Sequence, residues 1–101
     1  MSEPDPAFDA VHPSGSVLFR SSRGGYLHSV VLSEAVLDTD AQALAEAVLR
    51  AADVSHLKAV MQIRTEILDA GFTPSAELAT AADLSRAEEA LAAHRLTEGE
   101  P

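Results

Sequence analysis

Cysteine is absent from this 101-residue chain, and aromatic side chains make up only 4% of it. Without cysteine the chain has no disulfide, no catalytic thiolate and no cysteine-based zinc site. Basic residues are also few, because 7 Lys and Arg stand against 16 Asp and Glu, which gives a formal net charge of −9. This charge disfavours binding to the phosphate backbone of nucleic acids and to anionic membrane surfaces.

Long apolar runs and targeting signals are missing as well. No uninterrupted stretch approaches the ~20 apolar residues that a membrane-spanning helix needs. Residues 1–6 lack the basic and apolar regions of a signal peptide. The sequence therefore predicts a cytoplasmic protein that does not bind membranes.

The length of the chain allows one domain with one modest core. We expect this single domain to cover residues 7–96. Residues 1–6 are predicted to be disordered, because they include two prolines and two acidic residues and offer little apolar surface to bury. The polar, acidic tail at residues 97–101 is predicted to be disordered for the same reason.

The first third of the chain has the pattern of short β-strands. Alternation typical of a strand occurs at residues 8–12 and 17–21, and an aliphatic-rich segment follows at residues 26–32. Residues 12–15 and 22–25 have the composition of tight turns. Because both turns are too short for parallel crossovers, we expect an antiparallel meander of three strands.

The pattern then changes to a helical period. Thr39 and Gln42 have the spacing of a capping box, and the next thirty or so residues include neither glycine nor proline. Gly71 and Pro74 are typical of a helix end. The sequence thus predicts one helix of roughly 30 residues, ~45 Å long.

A second, shorter helix is predicted after Thr80, which can form a cap with Asp83. Its apolar stripe consists of Leu84, Ala87 and Leu91. The predicted fold class is therefore α+β, with a three-stranded antiparallel β-meander followed by one long α-helix and a short C-terminal helix.

The predicted long helix is about twice as long as the predicted strands, which span ~20–23 Å. Its second half is as apolar as its first, yet it extends beyond the sheet. The alternative is a compact monomer whose helix is kinked at residues 53–56. We expect a homodimer or contact with another protein, because exposed apolar surface of this size normally marks an interface. The candidate interface residues share this face: Leu57, Val60, Met61, Ile63, Ile67 and Leu68.

Two segments carry a family resemblance. Residues 12–19 (HPSGSVLF) and 25–32 (GYLHSVVL), followed by the Leu- and Ala-rich residues 40–58, resemble the strands and long helix of the YbaB/EbfC family of nucleoid-associated proteins. This resemblance implies a YbaB-like homodimer that binds DNA.

A closer resemblance is to the EspD/EspH-like proteins of mycobacterial type VII (ESX) secretion. It is carried by the turn and strand at Pro13, Gly15 and Val17, and by the spacing of His28 and Val30 in the third strand. This resemblance implies a cytoplasmic, dimeric accessory protein that stabilises or chaperones a secreted client, which is the function we favour.

No set of residues in the sequence indicates catalysis or a bound cofactor. Asp53 and His56 are three residues apart and share a helix face, but a metal site would also need His28 or His94 nearby. We therefore interpret the chain as non-enzymatic, with no catalytic, cofactor-binding or metal-binding residue.

A divergent YbaB-like DNA-binding protein is the second hypothesis. Arg20 and Arg23 lie at the tip of the predicted hairpin and are the candidate nucleic-acid contacts. We rank this function lower because the net charge is strongly negative.

Overall fold

The computed structural model describes residues 8–22, 27–34 and 39–96. It has an α+β fold, which confirms the prediction. Three antiparallel strands precede two helices: β1 (Ala10–Val11), β2 (Val17–Ser21), β3 (Leu27–Leu32), α1 (Ala41–Asp69) and α2 (Ala81–Ala93). The predicted disordered segments, 1–6 and 97–101, lie outside the described residues, and so does most of the β2–β3 loop.

β2 is the central strand of the sheet, and β1 and β3 are its edges. Phe19 of β2 lies opposite Ala10 on one side and Val30 on the other. β1 is shorter than the alternation at residues 8–12 suggests, because the chain turns at His12 towards β2. Gly15, at a φ of 76°, supplies the left-handed position that this turn requires.

The core lies between one face of the sheet and one face of α1. Ala47 and Ala51 of α1 are fully buried there. Their methyl side chains let the helix pack closely on the sheet. The other buried apolar residues of this cluster are Ala10, Val17, Phe19, Val54, Leu91 and Leu96. In the part of the chain that the structure describes, this buried cluster includes residues of β1 and β2 but none of β3.

α1 begins one residue later than the sequence suggests. Its N-cap is Asp40, whose carboxylate accepts a hydrogen bond from the Ala43 amide at 3.0 Å, so the predicted cap at Thr39 is wrong. A carboxylate at this position also interacts favourably with the positive end of the helix dipole. The predicted end at Gly71 is confirmed by its φ of 88° and by the Phe72 amide, which donates to the Ile67 carbonyl.

α2 begins with the predicted capping box, in which the Thr80 amide donates to the Asp83 carboxylate at 2.8 Å. The helix then returns along α1 in the opposite direction. Arg64 of α1 reaches the Ala79 carbonyl at one end of the pair, and His94 lies beside Glu46 at the other. α1 itself runs unbroken through residues 53–56, where a kink was the alternative.

Candidate functional site

The predicted interface residues on α1 differ in how far the fold covers them. Val60 is buried, and Leu68, 56% exposed, is the most accessible of the six. The other four are half-buried: Leu57, Met61, Ile63 and Ile67. α2 packs beside α1 and covers part of the face that these six residues share. Less of this face is exposed than the greater length of the helix relative to the strands suggests. The assignment of these residues to a partner interface stays a prediction.

A more exposed apolar surface lies on β3. Four of its six residues are aliphatic and exposed, and we call them the β3 edge: Leu27, Val30, Val31 and Leu32. Aliphatic side chains in a strand are normally covered on at least one face of the sheet. Here they are exposed because α1 packs against β1 and β2 and leaves the third strand largely uncovered.

A β-bulge adds to this surface. Arg20 of β2 pairs with Ser29, whereas the next residue, Ser21, pairs with Leu27, so His28 is the extra residue on β3. The bulge turns Leu27 to the same face as Val30. Leu27, Val30 and Leu32 therefore share the face of β3 that lies on the side of α1.

The backbone of β3 presents a second feature at the same place. The Ser33 amide donates to the Ser16 carbonyl at 2.9 Å, in register with the pairing of Val17 and Leu32. In an antiparallel ladder, inward-bonded and outward-facing residues alternate along a strand. The N–H and C=O groups of Val30 and Leu32 therefore point away from β2, towards the open edge.

The sequence marks this surface by a run of three aliphatic residues. Val30, Val31 and Leu32 follow one another without the polar alternation of a strand that has one solvated face. The run predicts a strand correctly. That its side chains are exposed follows only from the position of α1.

Arg20, a candidate nucleic-acid contact, is occupied by an intramolecular partner. Its guanidinium donates two hydrogen bonds to the Asp9 carboxylate, at 2.9 and 2.7 Å. These bonds lower the pKa of Asp9 and raise that of Arg20. Lys58 donates to the Asp9 backbone carbonyl at 2.8 Å, which holds the same segment against α1. The other candidate, Arg23, lies outside the described residues.

The polar stretch at residues 53–56 has a structural role that the sequence does not reveal. Ser55 is fully buried, and its hydroxyl donates to the Phe8 carbonyl at 2.6 Å. It also lies 2.5 Å from the Ser21 hydroxyl of β2. These bonds fix α1 to the sheet and to the segment before β1.

In the described ranges, no three His, Asp or Glu side chains are arranged so that they could hold one metal ion. Asp53 and His56 are both exposed on α1. His12 and His94 meet instead, with Nε2 of the first 3.0 Å from Nδ1 of the second. Neither helix, as far as it is described, combines the length and the apolar content needed to cross a bilayer.

Comparison with known proteins gives the family. Residues 1–97 match the model of a family described as "Protein of unknown function (DUF2694)". The chain belongs to this family. It is 59% identical over 96 residues to "Uncharacterized protein Rv0028" of Mycobacterium tuberculosis (strain ATCC 25618 / H37Rv), and the match covers 95% of each chain. The same figures apply to "Uncharacterized protein Mb0029" of Mycobacterium bovis. No solved structure matches the chain.

Both relatives are mycobacterial proteins. Their printed names state no activity, ligand or partner. The resemblances to type VII secretion proteins and to YbaB therefore stay predictions.

Proposed function

We propose that the chain is a non-enzymatic, homodimeric interaction protein that stabilises a client protein. The observation that supports this proposal best is the β3 edge, where aliphatic side chains and outward-facing backbone groups lie together in solvent. A small protein gains nothing in stability from such a surface until a partner covers it, and exposed apolar patches commonly mark interaction sites.

We assign the client to a second surface, the α1 end, which consists of Leu68 and Phe72. Both residues are largely exposed, at 56% and 70%; Leu68 is in the last turn of α1, and Phe72 follows the helix end. Leu68 is also part of the face that the sequence predicts as an interface. The type VII secretion resemblance suggests the class of client, a secretion substrate held in the cytoplasm before export.

The client proposal is tested by deleting the gene in a mycobacterial host and measuring the abundance of every protein. We expect one or a few secreted proteins to fall, and the wild-type chain to restore them. Leu68→Asp should not restore them, because a charge at the α1 end opposes apolar contact.

Leu49→Asp is the matched control, because Leu49 is a leucine of the same helix with a similar exposure of 65%. It should restore the client as well as the wild-type chain does. Unchanged protein levels after deletion, or full restoration by Leu68→Asp, would contradict the proposal.

DNA binding has weaker support. The side chain of Arg20 that would contact phosphates is held by Asp9, and the net charge of −9 opposes approach to DNA. A mobility-shift assay at low and moderate salt distinguishes the two functions, since a nucleoid protein would retain DNA at moderate salt.

A further inference from the structure

We propose that two copies of this chain pair through their β3 strands, antiparallel and centred on Val31, so that two three-stranded sheets become one continuous sheet. This inference deepens the proposed function and depends on its dimeric part. It names the surface by which the dimer forms and the register of the pairing.

β3 lacks the features that normally prevent an edge strand from pairing with another strand. Natural edge strands are usually blocked by lysine, proline, other charges or extreme shortness. β3 is six residues long, and its sequence LHSVVL contains no Lys, Pro, Asp or Glu. The opposite edge, β1, is two residues long and is followed by Pro13. The two edges of the same sheet thus differ in the features that prevent pairing.

The direction of the backbone groups of β3 sets the register of the pairing. Because the N–H and C=O groups of Val30 and Leu32 face outwards, they can pair only with outward-facing residues of the added strand. A two-fold axis at Val31 places Val30 opposite the partner's Leu32, and the reverse. This register forms four backbone hydrogen bonds without disturbing the bonds between β3 and β2.

A second copy of the chain has the charge distribution that fits the β3 edge. Two chains of charge −9 repel each other over most of their surfaces, so self-association requires a surface without acidic side chains. β3 is such a surface. In the Val31 register, His28 also comes near the partner's Glu34, which is the exposed acidic residue just after β3. A register centred on Val30 would instead place the His28 ring opposite the partner's Leu32, so the contact between His28 and Glu34 favours the register centred on Val31.

Pairing through β3 also covers the exposed apolar face of this strand. A two-fold axis perpendicular to the sheet keeps both α1 helices on one side of the enlarged sheet. The exposed side chains of Leu27, Val30 and Leu32 lie on that side in each copy, so the two sets adjoin in the cleft between the helices. Mutual burial of aliphatic side chains stabilises the pair.

The pairing is tested by a substitution that places two like charges on either side of the two-fold axis at Val31. Val31 is 53% exposed in one copy, so Val31→Lys leaves the fold intact, but in the proposed dimer the two lysines lie directly opposite each other. We expect the dissociation constant, measured by sedimentation equilibrium, to rise at least ~100-fold. Val31→Glu should have the same effect, and mixing the two variants should restore a mixed dimer.

Val11→Lys is the matched control. Val11 is also a valine, is 53% exposed, and lies on the same outer face of the sheet, but on β1. It pairs with Leu18, which pairs on its other side with Val31. We expect Val11→Lys to dimerise as the wild-type chain does.

Three results would overturn the inference: a Val31→Lys variant that still dimerises, a Val11→Lys variant that dissociates equally, or a Lys and Glu mixture that stays monomeric. If the wild-type chain is dimeric in such a case, the proposed function still holds, and the dimer interface lies on another surface. A wild-type chain that is monomeric at all concentrations would overturn both this inference and the dimeric part of the proposed function.

Discussion

His12 and His94 are hydrogen-bonded directly, which ties the turn after β1 to the C-terminal end of α2. The Ser14 amide donates to Nδ1 of His12 at 3.1 Å, so this nitrogen carries no proton, and the proton on Nε2 is donated to Nδ1 of His94. Nε2 of His94 then faces the Glu46 carboxylate at 3.4 Å. Nε2–H tautomers of both rings satisfy these contacts, which join the turn, α2 and α1.

This arrangement predicts a measurable tautomer and a stability cost. A long-range ¹H–¹⁵N spectrum at neutral pH should show the proton on Nε2 of both His12 and His94. His94→Ala removes the acceptor of a buried N–H and should lower the free energy of unfolding by ~1–3 kcal/mol. Glu89→Ala, at an exposed position on α2, should change it by less than ~0.5 kcal/mol. An Nδ1–H tautomer at His12 would contradict the arrangement.

Ser55 provides a prediction about how α1 is held on the sheet. Ser55→Ala leaves the Phe8 carbonyl and the Ser21 hydroxyl without their buried partner, so we expect a loss of ~1–3 kcal/mol in urea unfolding. Ser85→Ala is the control, because Ser85 is an exposed serine of a helix and should be nearly neutral. Equal midpoints for the two variants would show that the Ser55 bonds do not hold the helix.

The Asp9–Arg20 pair predicts the direction of a pH dependence. The hydrogen bonds from Arg20 lower the pKa of Asp9 in the folded chain, so the unfolded chain binds more protons in acid. The stabilisation from this pair is present above the unfolded pKa of ~3.9 and is lost as the pH falls through the lowered, folded value. Asp9→Asn should therefore reduce stability at pH 7 and flatten this acidic decline. Thermal melts from pH 7 to pH 2 measure both effects.

Arg20→Lys separates charge from geometry in the same experiment. Lysine keeps the positive charge but cannot donate the two parallel hydrogen bonds that the guanidinium donates to Asp9. We expect the stability of the Arg20→Lys variant to fall less between pH 7 and pH 2 than that of the wild-type chain. Superimposable pH profiles for all three proteins would show that the pair contributes nothing to stability.

Much of the fold follows from local sequence signals, whereas the candidate interaction surface does not. Gly71, Thr80 and Asp83 mark helix ends through interactions with residues that are near in sequence, so they are predicted correctly. The contact between His12 and His94 joins residues 82 positions apart, and no local pattern contains it. The exposure of Val31 likewise depends on where α1 crosses the sheet, which is set by packing of the whole chain.

The end of α1 gives a last prediction, about backbone conformation alone. Gly71 has a φ of 88°, and a β-carbon added there would meet no atom within 4 Å, so any cost of substitution comes from the left-handed backbone. Gly71→Ala should destabilise the chain by ~1–2 kcal/mol, and Gly71→Asn by less, because asparagine adopts this conformation more readily. Urea midpoints measured at unchanged slope give both values. An alanine variant as stable as the wild-type chain would mean that α1 continues past Asp69 in solution.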